Sequence, residues 1–451
     1  MNRTLSIAAL TVTLLGVAAV DAQRFTYPPE EFQERRETLC EAVRKDSGDA
    51  PALIALFART KAQTAMRFRQ DHDFFYVTGN SNSNAALLID ANNCDSWLFL
   101  VTQTAREASR DGWNWLYQDG AAETHGFREI RPLSYFEEFL ARRRISGQQS
   151  LYVRLSERDD MDHSRSDTAI YTARRMVNPW GAQPTEDAWR VTQWRERYPY
   201  YQLSDISPVI DRLRMIKRPL EKDALRRGGQ VSAAAIQAAI EVTRPGGWEY
   251  ELEAEASYVL DKNGAEHHAY AAIVGSGPNG NVWHYNDNGA RLEEGELIVM
   301  DYGGSFGYQT MDITRTWPVS GSFDELQERA YRATLEAQKA IIAAMKPGAT
   351  RAQTREICRR IYDKWGFEDQ PAYGAGHFVG MAVHDVGDYD APFEPGMVIA
   401  VEPIIEITEH NLHIRIEDTV LITEDEPEIL SAEVPKELED VAALVGKRAG
   451  K

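Results

Sequence analysis

Two acidic residues, Asp301 and Asp312, flank a glycine-rich turn in the stretch Leu297 to Val319, LIVMDYGGSFGYQTMDITRTWPV. The apolar runs on either side have strand character, so the stretch predicts an antiparallel hairpin. With its turn at Phe306-Gly307, Asp301 stands directly opposite Asp312 on one face. Side-by-side carboxylates repel, and burial worsens the repulsion. Either the pair lies on a solvated sheet edge or a cation neutralises it. A second stretch, Pro395 to Thr423, repeats the arrangement. Met397 to Val401 leads into Glu402, Ile414 to Leu421 carries Glu417, and a turn at Glu409-His410 makes the two glutamates face one another. A carboxylate ending a strongly apolar strand is costly unless neutralised. Finding the arrangement twice argues against surface charge and hints at internal duplication.

Between the hairpins lies YGAGHFVGMAVHDVG, Tyr373 to Gly387. Its glycines argue against a helix, so His377 and His384 belong on loop or strand-end backbone, open to metal or catalytic use. Asp301, Asp312, His377, Glu402 and Glu417 together supply carboxylate oxygens and one imidazole. That set is of borderline hardness and suits a pair of Mn, Zn, Co or Fe ions better than a lone Zn. Such a pair can share a hydroxide and clamp a tetrahedral intermediate. His284, between Trp283 and Tyr285, would by itself more often be a core histidine. Outside the ligand set, it and His384 could donate hydrogen bonds to a developing oxyanion. Acyl transfer to water is the reaction class this set fits best.

Other motifs lead elsewhere. Gly275-Ser276-Gly277 with Asn279-Gly280 lacks the Gly-Lys-Ser/Thr and the following helix of a phosphate loop. His72-Asp73 sits in the aromatic-dense RQDHDFFYVTG and reads as structural or interdomain rather than ligating. No Cys-x-x-Cys exists among Cys40, Cys94 and Cys358, although Cys40 and Cys94 could pair in an exported protein.

The elements that must hold these residues follow from the whole chain. At 451 residues, two or three domains are expected, and 43% apolar with 26% charged residues is globular composition. A net charge of -19 without a Lys/Arg block argues against nucleic-acid or anionic-membrane partners. Residues 1–22 combine Arg3, an apolar run from Leu5 to Val20, and Val20-Asp21-Ala22. They read as a cleaved secretory signal, which implies a periplasmic or secreted protein free of the membrane after cleavage; an uncleaved anchor is the alternative. Helical Glu30 to Lys45 and strands Ala52–Phe57, Ala85–Ile89 and Ser96–Val101 open an α/β domain over 23–205. Trp180 to Pro199 fits a connector. Helices over Glu221–Val242, Trp248–Gly264, Phe323–Met345 and Arg351–Trp365 then accompany the hairpins in a second domain, 206–451.

In order, VGSGPNGNVWHY, MDYGG, MDITRTWPV, GHFVGMAVHDVG, EPGMVIAVEP and IRIEDTVLIT resemble the pita-bread metallopeptidases, in the branch of aminopeptidase P and prolidase. The likeness spans about 206 to 446, and RQDHDFFYVTG looks like the aminopeptidase P N-terminal domain. This resemblance implies an α/β (α+β) chain: an aminopeptidase P-like domain followed by a pita-bread catalytic domain. It implies that Asp301 chelates one metal, Asp312 and Glu417 bridge both, and His377 and Glu402 bind the second. Glu402 would also move a proton from the bridging water, His284 and His384 would position the carbonyl, and Arg415 would orient a ligand carboxylate. The implied cofactor is two divalent ions, Mn first, with Zn, Co or Fe as alternatives. The implied substrate is a peptide with proline second, cut before that proline, and the implied assembly is a homo-oligomer, dimer or tetramer. Two positions depart from the family: Tyr373 replaces a histidine, and Ile404 replaces the glycine after Val-Glu-Pro. Prolidase activity, organophosphate hydrolysis and a non-catalytic binding module are the competing expectations.

Overall fold

A computed structural model of the chain describes residues 24–48, 50–61, 67–143, 149–178, 180–181 and 183–449. The expected signal segment 1–22 lies outside them. Among the described residues, no helix is long and apolar enough to cross a membrane.

The first half is built on a six-stranded mixed sheet, ordered Glu129–Pro132, Asp95–Leu100, Ala86–Asp90, Ala52–Phe57, Gln149–Val153, Tyr201–Asp205. Its central strands are apolar at nearly every position because both faces are covered. Ile54, Leu56, Leu87 and Ile89 pack beneath helix Pro29–Asp46, whereas Leu53, Ala55, Leu88 and Trp97 face Phe136 and Trp194 on the other side. The stretch expected to be a connector holds a helix instead, Glu186–Arg197, started by the Thr185 hydroxyl accepting from the Ala188 N–H. Its buried face carries Trp194, edge-on against Phe57, and Arg190, whose guanidinium lies over the same ring, while Trp189, Arg195 and Arg197 are exposed. Cys40 and Cys94 are disulfide-bonded, with Cα atoms 5.9 Å apart, tying helix Pro29–Asp46 to the turn after Ala86–Asp90.

The second half repeats one plan. A helix pair, Pro219–Val242 and Glu249–Lys262, precedes the first hairpin, and Glu325–Ala344 with Arg351–Trp365 precedes the second. In the first hairpin the turn falls at Gly307-Tyr308, where both φ angles are positive, 57° and 63°. Two consecutive left-handed residues make the tight turn whose twist suits a hairpin. This is one residue later than expected, so Asp301 pairs with Thr314, not with Asp312. Moving the turn by one residue shifts the register by two, which keeps every side chain on its face. Asp301 and Asp312 are therefore diagonal neighbours. Opposite Asp312 lies Gly303, where a Cβ would stand 2.0 Å from the Met311 carbonyl oxygen, so only glycine allows the strands this close.

The second hairpin has the expected register. Val401 pairs with Asp418 and Ile404 with Arg415, which sets Glu402 opposite Glu417. Both hairpins lose regular strand geometry at or beside the acids, at 302–303, just past Asp301, and 311–313 in the first, and at 402–403 and 416–417 in the second.

The halves meet through RQDHDFFYVTG. Phe75 stacks on Tyr308 with ring centres 3.5 Å apart. Arg69 donates to the Ser305 hydroxyl (3.0 Å) and to the carbonyls of Tyr308 (3.0 Å) and Met381 (2.7 Å). One arginine thus grips both the first hairpin's turn and the loop that carries His384.

Candidate metal centre

The breaks in the two hairpins meet beneath the 373–387 loop. The loop adds a strand-like stretch beside Val398–Val401: the Gly376 N–H donates to the Ala400 carbonyl (2.7 Å) and the Ala400 N–H to the His377 carbonyl (2.9 Å). This pairing delivers His377 to the acids. Its Nε2 lies 3.4 Å from Asp312 Oδ2 and 3.6 Å from Glu402 Oε1. Donor atoms of Asp312, His377 and Glu417 all fall within 4.8 Å of one another, the one such group found among the described residues. Asp301 joins through Tyr270, whose hydroxyl lies 2.5 Å from Asp301 Oδ1 and 2.6 Å from Asp312 Oδ1. Arg415 donates to the other Asp301 oxygen at 2.9 Å.

All five expected ligands are thus brought together. Asp301, Asp312 and Glu417 are buried, and Glu402 is the most open at 28% side-chain exposure, so the approach from solvent is on its side. His384 stacks beside His377, ring centres 4.0 Å apart, and is 39% exposed. His284 is exposed on a turn, not in the core, and is an electrostatic neighbour of both Glu402 and His384. Tyr373 stands where its hydroxyl feels Glu402, and Ile404 is buried on the strand paired with Arg415.

The electrostatics are out of balance. Burial pushes the Asp301 carboxyl up to about 8, with the Asp312 charge adding to it and Arg415 only partly opposing. Burial likewise raises Glu417 well above the carboxylate range, helped by Asp312, Glu402 and Asp301, and burial raises Glu402 too. Burial would also raise Asp312, but the hydrogen bond and charge of His377 and the Tyr270 hydroxyl hold it at about 2. Burial would lower His377, yet its bond to Asp312 and the Glu402 charge lift it to about 9. The His377 charge, followed by burial, presses His384 down to about 4. Meanwhile Glu417 takes one hydrogen bond from the Thr314 hydroxyl (2.7 Å), and its other oxygen, Oε1, is buried with no partner. An idle buried acceptor among acids that resist ionisation fits divalent cations, and the oxygen-rich set with one imidazole suits them chemically.

Three groups at the site escaped sequence reasoning. Thr314 was open to it, because strand alternation places it on the face of Asp312 two residues earlier. Tyr270 carried no such signal, since nothing in His267-His268-Ala269-Tyr270 marks a hydroxyl shared by two distant acids. Asp167 carried none either and comes from the first half of the chain, its Oδ2 lying 3.7 Å from His384 Nδ1.

Acids held in want of a cation, with exposed imidazoles at the open side, define a metal-dependent hydrolase. The family model of metallopeptidase family M24 matches residues 223–424, and that of the aminopeptidase P N-terminal domain matches 32–152. The Xaa-Pro aminopeptidase of Escherichia coli is 31% identical over 454 residues, covering 92% of this chain and 97% of that protein. The Xaa-Pro dipeptidase of Pyrococcus furiosus is 35% identical over 260 residues, 57% of this chain and 74% of that protein. A solved structure of zinc-substituted E. coli aminopeptidase P in complex with product superposes with a TM-score of 0.77 at 28% identity, covering 93% of this chain and 98% of that one. The chain belongs to metallopeptidase family M24. It is a metallo-exopeptidase that works with divalent metal ions.

Proposed function

We propose that the protein is an Xaa-Pro aminopeptidase, releasing the first residue of peptides whose second residue is proline. The observation that carries this is coverage: the aminopeptidase relative aligns through both halves of the chain, and the first half itself matches the aminopeptidase P N-terminal domain. In this reading Asp301, Asp312, His377, Glu402 and Glu417 would together hold two divalent ions, preferentially manganese. When bound, the ions make water nucleophilic and polarise the scissile carbonyl. The chain's residues do the rest. Arg415 and Tyr270 hold Asp301 in place. Glu402, the most open acid, takes the proton of the attacking water and passes it to the proline nitrogen, which has no N–H and must be protonated to leave. His384 and His284 donate hydrogen bonds to the oxygen that gains charge.

Prolidase activity is the second reading, favoured by the dipeptidase relative; the changes at Tyr373 and Ile404 bear on peptide length and proline selectivity in either reading. A panel of Xaa-Pro dipeptides, longer Xaa-Pro peptides and proline-free controls, with metal content measured in parallel, tests both. Hydrolysis confined to dipeptides sinks the aminopeptidase reading.

Export to the periplasm or medium after removal of residues 1–22 completes the proposal. The Cys40–Cys94 bond supports it, since such bonds persist in oxidising compartments. A dimer or tetramer is supported by helix Arg165–Met176, which buries none of its residues and leaves Ile170, Tyr171 and Met176 about half exposed beside Trp180.

A further inference from the structure

Arg351 is the first residue of helix Arg351–Trp365, just past the Thr350 cap. That first turn packs directly under the loop that delivers His377. The Ala375 N–H donates to the Thr354 hydroxyl at 2.9 Å, and a Cβ at Gly374 would sit 3.0 Å from the Arg351 carbonyl oxygen. The Arg351 guanidinium lies 4.4 Å above the Tyr389 ring, and Tyr389 in turn meets the edge of Phe378, the neighbour of His377, at 5.1 Å. A short stack of guanidinium, phenol and phenyl therefore runs alongside the metal centre. Tyr389 is 43% exposed, so the stack reaches solvent.

One nitrogen of this guanidinium, Nη1, is buried and has no hydrogen-bond partner, and Arg351 takes part in none of the ion pairs among the described residues. Arg35, Arg59, Arg131, Arg214 and Arg415 also carry an idle buried nitrogen, but each already holds a carboxylate through another. Burial and the neighbouring Arg355 oppose the Arg351 charge, the Tyr389 hydroxyl supports it, and Glu402 adds a smaller attraction, so the cation is close enough to feel the open acid of the site. A guanidinium presents a planar fork that matches a carboxylate. In a protein of net charge -19 whose centre is itself acidic, an anionic ligand end needs a cation of its own to dock.

We propose that Arg351 is a specificity-determining residue that receives the free C-terminal carboxylate of a short peptide, making di- and tripeptides with an ionised C-terminus the preferred substrates. The proposal rests on the Xaa-Pro reading above and adds to it the length and terminal charge of the substrate. Tyr389 backs the fork by stacking, which keeps the guanidinium from swinging onto Glu402.

The test compares Ala-Pro-Ala with its C-terminal amide, using metal-loaded protein and its Arg351→Ala and Arg351→Lys variants with metal content measured in each. The wild type is expected to favour the acid by roughly 10- to 100-fold in kcat/KM, the worth of a charge-assisted bond. Arg351→Ala should bring the ratio of acid to amide close to one, and Arg351→Lys should restore part of it. A wild-type ratio near one overturns the proposal without any variant having to fold. So does an Arg351→Ala protein that slows both peptides by the same factor, which would mark a structural role. Cleavage of Ala-Leu-Ala but of neither proline peptide would instead sink the Xaa-Pro reading itself.

Discussion

Two of the buried acid clusters among the described residues lie side by side, and consecutive residues, His384 and Asp385, belong one to each. The first cluster lies between the halves of the molecule. Asp159 holds His72 at 2.7 Å and Arg214 at 2.6 Å, Asp73 holds Arg214, Arg165 and Arg154 at 2.8–3.1 Å, and Asp385 holds Arg214 at 2.6 Å and Lys217 at 2.9 Å. Burial alone would raise all three aspartates, but these cations draw each below the ordinary carboxylate range. At the metal centre Asp301 and Glu417 are buried too and Glu402 is more open, yet burial pushes all three upward because Arg415 and His377 are too few to offset it. Depth of burial does not distinguish the clusters; the supply of fixed cations does. A balanced cluster braces a fold, whereas an unbalanced one waits for mobile charge. The brace also steadies the site, since anchoring Asp385 fixes the backbone that presents His384.

The comparison can be broken or sharpened by experiment. Asp312→Ala should remove turnover by about a thousandfold or more, as loss of a shared ligand would, while circular dichroism still reports a folded chain. Unfolding of the variant would mean that Asp312 belongs with the brace. Arg214→Met should do the reverse, costing about 3–5 kcal/mol of stability in denaturant titrations because three buried aspartates lose a partner. A cost below about 1 kcal/mol would show the brace to be dispensable. His384→Ala should lower kcat by roughly a hundredfold with metal content unchanged; metal loss would place it among the ligands.

The pH response should separate the clusters as well. The folded state holds protons more tightly than the unfolded chain at Asp301 and His377, so these groups favour folding at low pH and lose that contribution as pH rises toward about 8 and 9. Asp73, Asp159 and Asp385 have the opposite sign, their stabilisation being present above the ordinary carboxylate range and lost only as pH falls below it, whereas burial pushes the neighbouring Asp211 up to about 6. Other histidines pull the other way, since His72, His267, His384 and His413 are all pushed down and lose stability as pH falls toward 5. The site's share is therefore read as a difference: chelated wild type should gain a few degrees relative to Glu417→Gln between pH 8 and pH 5, and equal responses of the two proteins would contradict the assignment. The smallest effect is expected of Tyr270→Phe, a weakening of metal binding by roughly tenfold or less, the net worth of one hydrogen bond to a charged group.

Much of the site was legible because its acids obey local rules. Glu402 and Glu417 interrupt apolar runs, and the turn at Glu409-His410 set their register correctly. The first hairpin was read one residue short at its turn, because Gly307 and Tyr308, not Phe306 and Gly307, take the left-handed pair, and tyrosine gives no sign of that conformation. The error left the acids on one face, since a strand alternates with period two. The helix Glu186–Arg197 was hidden by its tryptophans and arginines, which read as irregular until Phe57 and Phe136 are there to cover Trp194.

By itself the sequence determined the acids, the histidine loop, the two hairpins and the family, since each rests on residues close together in the chain or on motif order. Only the tertiary structure decided that Tyr270 joins Asp301 to Asp312, that one Glu417 oxygen has no partner, and that Arg214 rather than a metal answers Asp73 and Asp159. Whether a buried charge is neutralised depends on cations brought from distant positions, and that distance in space is not written along the chain.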